Sequence, residues 1–540
     1  MDGKRAASML REIAALLAIR GENVFRVRAF ENGADAIAGV PDLDDRVRNG
    51  TLTSIPGVGK ALAEIVSELV REGRSKAYDE ITAETPATLV AVMRIPGLGP
   101  KRTATLFKEL GITSLGELEY AVRENRLVTL PGFGLKTQEK ILAGLAFLSG
   151  NAGRFRLFEA LPFAEKLASQ LRTLPNVARL EIAGDLRRRL EIVTEAVFVV
   201  SCENPENVVS PPVAEGTLPV RLVAVKDDRF GTALLRETGT DAHLAALVAR
   251  GLDLSSPARE EAEIYSRLAL PFIAPELRES GREVGLAARG ALPELVVESD
   301  VRGLFHLHTT WSDGRATLEE LLRAIETLGY GYAGISEHSP SAAYAGGLTS
   351  ERLVAQRREI DSLRSRFPNL TIFHGTESDI HPDGSLDFPE ESLASLDFVI
   401  ASVHGALRLS REEQTERLVR AVRNPRVTLL GHATARLLLS RKGIDVDLPR
   451  VLAAAGEAGT GVELNASPFR LDLDWRFGEE ARAAGVFTSI NPDAHSLDDL
   501  GFVKWGVAMA RKAGFSKGDV LNCGDAAAVS TKLAALRARA

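Results

Sequence analysis

Nine histidines occur in this 540-residue chain, and eight of them lie between His306 and His495. They fall as His306-Leu307-His308, His338, His374, His381, His404, His432 and Asp493-Ala494-His495, with Asp313 and Glu377 among them. Neutral imidazole is the commonest nitrogen ligand for zinc, manganese and related ions. A lone buried histidine is more often a hydrogen-bonded core residue than a ligand. Eight in one segment, interleaved with carboxylates, reverse that expectation. No cysteine joins them, which favours a hydrolytic nitrogen/oxygen site over a structural zinc. Divalent ions held this way activate water and offset charge on a phosphoryl group, so phosphoester hydrolysis is the natural reaction class, for monoesters and diesters alike.

The elements that must position these groups are short apolar runs alternating with helical patterns from about residue 300 onward. Strands are predicted at 303–308, 332–336, 371–375, 398–402, 428–430, 461–464 and 487–490, with helical stretches such as 318–328 between them. Seven such alternations predict a barrel-like (βα) array, whose ligands sit at the carboxyl ends of the strands. The candidates fall there. His306 and His308 are two apart on a strand end and so share a face, as do Asp493 and His495. Asp313 lies in the following loop, and His338, Glu377, His404 and His432 each follow a strand. Nine groups at six of the seven strand ends exceed the needs of one ion, which implies two or three.

The order and wording resemble the PHP (polymerase and histidinol phosphatase) domain. The residues carrying the resemblance are Phe305-His306-Leu307-His308-Thr309-Thr310, Ser312-Asp313-Gly314, His338-Ser339, Gly375-Thr376-Glu377, Ser402-Val403-His404, Gly431-His432 and Asp493-Ala494-His495. It implies three divalent ions, Mn2+ and/or Zn2+. By that analogy His306, His308, Glu377 and Asp493 hold one; Glu377, His404 and His432 a second; Asp313, His338 and His495 a third. The chain departs at Glu337, where the family has Asp, and there we expect tuning rather than loss of the site. His374 is expected to be packed or hydrogen-bonded, and His381, heading a polar loop, to lie near the mouth as a candidate substrate contact.

The first half adds a threefold pattern of apolar-Pro-Gly-apolar-Gly: Ile55-Pro56-Gly57-Val58-Gly59, Ile95-Pro96-Gly97-Leu98-Gly99 and Leu130-Pro131-Gly132-Phe133-Gly134. Such a turn opening a helix offers backbone N–H groups to a phosphate, and its glycines admit a close approach. One copy is a weak signal. Three copies, with Lys60, Lys101 and Lys136 just behind, point to non-sequence-specific contact with DNA backbone and resemble helix-hairpin-helix elements. Nearly the whole chain resembles bacterial family X DNA polymerases of the PolX type, in which a polymerase-beta-like core precedes a PHP domain. Phe25-Arg26-Val27-Arg28-Ala29-Phe30, Gly346-Gly347-Leu348, Leu464-Asn465-Ala466 and Arg470-Leu471-Asp472-Leu473-Asp474 share its wording. The palm departs from it. Gly184-Asp185-Leu186-Arg187-Arg188 has Asp185 in place of a serine, and the three metal-binding aspartates fall on Glu195, Val197 and Arg221. One carboxylate of three survives, so loss of polymerase activity is expected. The lyase lysine of relatives falls on Ile65, so that activity is doubtful as well.

The resulting expectation is a multidomain α plus α/β chain. Residues 1–85 and 86–150 form helical helix-hairpin-helix domains, 151–290 a degenerate palm/thumb region, and 300–540 a distorted (βα)7 PHP barrel, with 280–294 a surface linker. A net charge of −7 excludes a wholesale basic coat but not local DNA contacts. Cys202 and Cys523 alone make no disulfide framework. Residues 1–5 lack the apolar run of a secretory signal, and no apolar stretch nears the ~20 residues a membrane span needs. A soluble, cytoplasmic monomer is expected. The leading functional expectation is metal-dependent 3′-end processing of gapped or nicked DNA in repair: a 3′–5′ exonuclease, with apurinic-site cleavage or 3′-phosphatase action compatible. The alternatives are a histidinol-phosphatase-like enzyme, a non-enzymatic DNA-end scaffold and an active polymerase with substitute ligands.

Overall fold

Hydrophobic periodicity and glycine turns lay out the first of two units into which the computed structural model divides, Met1–Ala152 and Gly153–Ala540. The structure describes residues 3–123, 127, 130–151, 153–208, 217–439 and 442–539. In the first unit the helix Gly3–Arg20 turns Ala6, Leu10, Ile13 and Leu17 onto Phe30, Ala34 and Ile37 of the helix Val24–Ala38 and onto Val58, Leu62 and Val66. A second core gathers Leu89, Val92, Ile95, Leu98, Leu106, Leu118, Phe133 and Ile141. The three hairpins close alike: Val58 N–H donates to Ile55 O at 3.0 Å, Leu98 to Ile95 at 2.9 Å and Phe133 to Leu130 at 3.1 Å.

The second unit begins with a small ladder, β1 (Phe155–Arg156) against β3 (Ile192–Val193), and a three-stranded sheet of β2 (Arg179–Ala183), β4 (Ala196–Ser201) and β5 (Val220–Val225). The central strand β4 is buried on both faces, as its unbroken Ala-Val-Phe-Val-Val run demands. The helix Leu157–Leu171 covers one face and Phe230–Thr238 the other. Residues 280–294 differ from the expected linker. They contain the helix Arg282–Ala288, with Val284 and Ala287 buried and Glu283 bonded to buried His243 at 2.7 Å. Their polar composition hides this because Glu283 is spent on a partner forty positions away.

Seven parallel strands follow in sequential order: β6 (Gly303–Leu307), β7 (Tyr332–Ile335), β8 (Thr371–Asp379), β9 (Phe398–Ser402), β10 (Leu429–Leu430), β11 (Gly461–Asn465) and β12 (Thr488–Asn491). A bridge between Leu307 and Ala494 draws β12 toward β6 and nearly closes the barrel. Phe305, Tyr332, Phe373 and Phe398 fill its interior with Val529 and Leu533 of the helix Ala526–Arg537. Small neighbours make room for these rings: a Cβ on Gly334 would stand 2.1 Å from Phe305 and one on Gly375 2.5 Å from Phe398.

The palm-like sheet packs directly on the barrel. Leu157, Leu161 and Leu186 share a core with Leu471, Trp505, Ala508 and Met509. Around it Glu191 accepts from Arg476 at 2.7 Å and from the Trp475 indole at 2.9 Å, and buried Lys512 reaches Glu279 and Arg188 O. Burial opposes ionisation of Glu191, but Arg476 and Trp475 outweigh it and hold its pKa below 4.5. Asp474, beside Arg436 and Arg476, is likewise depressed against the pull of burial. Depressed carboxylates stabilise fully above their unfolded value and lose that contribution as pH falls through the folded one. Calorimetric melting of this unit is therefore expected to weaken below about pH 4.5, with a shallower slope in Glu191→Gln; equal slopes in both proteins would refute the assignment.

Candidate metal centre

All nine predicted groups converge at the carboxyl ends of the barrel strands. Their ligand atoms form four sets, each within 4.8 Å: His308, Asp313, His338 and His495; His306, Glu377 and His432; His306, His308 and Asp493; His338, Glu377 and His404. Glu377 is the hub, 2.8 Å from His432 Nε2, 2.8 Å from His338 Nδ1, 3.2 Å from His306 Nε2 and 3.3 Å from His404 Nε2. Asp313 lies 3.3 Å from His495 Nε2 and 3.4 Å from His338 Nε2. Asp493 stands 3.4 Å from His308 Nε2. His308 stands with His306 and Asp493, and also beside Asp313, while His306, His404 and His432 all face Glu377 Oε1. Glu377 also lies within β8 instead of after it, because residues 376–379 go on pairing with β9.

Backbone conformation records what holding these groups costs. His306, His432 and Asp493 have φ of 59°, 22° and 53°, a region non-glycine residues avoid unless their surroundings dictate it. His306 thus reaches the site through an irregularity in β6 rather than through simple strand alternation.

The donor set fits divalent ions. His306 Nε2, both ring nitrogens of His308, His338 Nδ1, His432 Nδ1 and Glu377 Oε2 are buried without a hydrogen-bond partner, an arrangement proteins otherwise avoid. The buried histidine, aspartate and glutamate groups could bind metal ions. Burial holds the His308 ring down to about 3, helped by His495 and His338, so it stays neutral. Burial also opposes charge on His338 and His404, but the neighbouring carboxylates Glu377, Asp313 and Asp379 outweigh it and raise them to about 10 and about 9. Glu377 and Asp493 are held well below the usual carboxylate range by the surrounding histidines, against burial.

Outside the nine lie groups that sequence reasoning missed. Glu463 is fully buried on β11, takes His306 Nδ1 at 2.5 Å and accepts the His432 N–H at 2.8 Å and the Asn491 amide at 2.8 Å. Asp379 takes His404 Nδ1 at 3.0 Å. A signal existed for both: a carboxylate inside the apolar Val462-Glu463-Leu464 run, and Asp379 two positions past Glu377 on the same strand face. Glu337 is buried, bonded to Thr309, Ser312 and Gln356, with its pKa raised by burial. His374 is packed and bonded to Gln356 at 3.1 Å. His381 is half-exposed, 3.4 Å from Asp387, and belongs to none of the four sets.

The palm candidates lie together too. Val197 pairs in register with Arg221 and is buried among Ala183, Val199 and Phe230. Arg221 sits between two carboxylates, 3.1 Å from Glu195 and 2.8 Å from Glu237, which raise its pKa further. A guanidinium thus fills the space between acids that a cation would take. Ile65 packs against the first helical core. In the hairpins, Gly57, Gly97 and Gly132 have φ of 90°, 91° and 82°, which turn geometry demands. Gly59 and Gly99 have ordinary extended values of −79° and −77°, and a Cβ on either, or on Gly134, would meet nothing within 4 Å. Lys60, Lys101 and Lys136 are exposed beside them.

This barrel with its rim of imidazoles and carboxylates is of the PHP type, a class of hydrolytic enzymes. Family models match residues 1–75 as a helix-hairpin-helix domain and 89–146 as a SAM-like helix-hairpin-helix tandem. The DNA polymerase/3′-5′ exonuclease PolX of Bacillus subtilis is 33% identical over 561 residues, covering 97% of this chain and 97% of that protein. A probable phosphatase of a Thermoanaerobacter species is 29% identical over 232 residues, 40% of this chain and 88% of that protein. One of Aliivibrio fischeri is 30% identical over 142 residues, covering 25% of this chain and 55% of that protein. The chain belongs to the PolX family. Among the described residues no helix is long and apolar enough to cross a membrane.

Proposed function

We propose that this chain is a metal-dependent DNA phosphodiesterase that removes nucleotides from 3′ ends, with its polymerase site extinguished. The observation that carries the reading is the convergence of nine imidazole and carboxylate groups around Glu377. The three ions proposed there, Mn2+ or Zn2+, would supply Lewis acidity and a water-derived nucleophile. The chain's own part is orientation. Glu463 engages Nδ1 of His306 and Asp379 that of His404, which turns each Nε2 toward Glu377, where the neutral ring would offer its lone pair to an ion. Glu195, Val197 and Arg221 retain no pair of carboxylates for nucleotidyl transfer.

DNA is the proposed partner because Gly59, Gly99 and Gly134 answer to no demand inside the protein. Neither packing nor φ excludes a side chain there, so the open space suits an external backbone that must come close. Gly59→Val with Gly99→Val is expected to weaken binding to gapped duplex about tenfold, ~1.4 kcal/mol, with unchanged melting and unchanged hydrolysis of bis(p-nitrophenyl) phosphate. Unaltered DNA affinity would remove this support.

The test of the whole reading is nucleotide release from a labelled 3′ end on gapped DNA with manganese, with and without dNTPs. Shortening is expected and extension is not. Extension abolished by Glu195→Gln would reinstate the polymerase. The phosphatase relatives support a second reading, hydrolysis of a small phosphomonoester. Rapid turnover of histidinol phosphate without DNA binding would favour it.

A further inference from the structure

One arginine comes to the rim of the cluster, on the loop between β11 and the helix Gly478–Ala483. Arg470 Nε stands 3.5 Å from Asp493 Oδ2, its side chain is 19% exposed, and its Nη1 is buried without a hydrogen-bond partner. At that distance Asp493 receives no close ion pair from Arg470, and its Oδ2 is already served by the Asn465 amide at 3.0 Å. A guanidinium beside the acids of a metal site, with an N–H left to give, is short of an acceptor rather than of a counter-charge.

The backbone that carries it is held from two sides. From the barrel, Arg436 donates to Arg470 O at 3.0 Å and to Leu471 O, and Thr434 N–H and Oγ1 donate to Asp472 at 2.9 and 2.8 Å. Leu471 takes the left-handed φ of 46° that this pinning enforces. From the palm-like part, Phe158 packs edge-on against Phe469 at 5.1 Å, and Arg156 donates to Leu438 O, whose own N–H donates to Phe469 O. The fork is therefore placed before any ligand arrives, which lowers the cost of binding a planar pair of oxygens.

We propose that Arg470 is the anion clamp of this site, donating through Nη1 to a non-bridging oxygen of the phosphoryl group to be cleaved. The proposal rests on the phosphodiesterase reading above and names the group that grips its substrate. It also gives the palm-like part a task, since Arg156 and Phe158 brace the clamp's loop.

Two readouts on the manganese-loaded full chain separate this idea from its parent. Arg470→Gln is expected to lower kcat/KM for 3′-nucleotide release about 10²-fold. It is also expected to raise the concentration of inorganic phosphate needed for paramagnetic broadening of its 31P signal about tenfold, with manganese stoichiometry unchanged. Arg470→Lys, which keeps the charge without the fork, should fall between wild type and Gln in both. Phosphate binding equal to wild type in Arg470→Gln overturns the clamp, as does loss of manganese from that variant. If wild type broadens phosphate, the Gln variant does not, and neither cuts DNA, the clamp stands and the exonuclease reading falls.

Discussion

Glu377→Gln is expected to abolish manganese-dependent nucleotide release, by at least about 10³-fold, on the order of 4 kcal/mol. The effect should exceed that of any single histidine because Glu377 lies within 3.3 Å of four imidazoles. An amide keeps the size but offers one weak oxygen in place of a charged pair. Titration calorimetry should therefore show fewer manganese ions bound, alongside the kinetic loss. Glu463→Gln provides the graded comparison. It touches His306 from behind, where loss of such a partner costs about 10- to 100-fold. Comparable activity in Glu377→Gln and wild type would mean that catalysis does not use this cluster.

The second large effect falls on stability, far from the cluster. Glu261 is buried and paired with Arg187 at 2.6 Å and with Arg278 at 2.6 Å, and the Arg278 side chain is wholly buried. Burial works against the Glu261 charge, yet the two guanidinium groups hold its pKa below the usual range. Glu261→Ala strands a buried cation and should cost about 3–5 kcal/mol. The same change at Glu479, whose pair with Arg282 is largely exposed, should cost about 0–1 kcal/mol. Denaturant melts of both variants check the contrast. A loss under about 1 kcal/mol at Glu261 would show that Arg278 finds another partner on relaxation.

Much of the barrel was legible because its information is local. Each strand is a short apolar run, and the histidines come in pairs two apart or just past a strand, so spacing brought the nine groups to one end, although His306 arrives through irregular backbone rather than plain alternation. The hairpins were legible for the same reason, since a five-residue pattern fixes each turn. What escaped depends on partners distant in the chain. Glu463 reads as one acid in an apolar run until His306, far upstream, is seen against it. The helix Arg282–Ala288 reads as a linker in sequence because Glu283 answers to His243. The true end of β8 depends on β9, and the nearness of His308 to Asp313 as well as to Asp493 depends on a loop path that spacing does not encode. The seam between palm-like sheet and barrel, with Lys512 reaching Glu279, could not be read from either stretch alone.

That seam bears on how such a chain can change over generations. Cutting the barrel free would bare Leu471, Trp505 and Met509 to water and leave Lys512 without Glu279. A deletion that removes the sheet is therefore expected to destabilise this barrel, whereas changes at Val197 and Arg221, outside the shared core, leave the seam intact. Whatever chemistry the sheet carries, it also serves as a keystone through the surface it offers its neighbour.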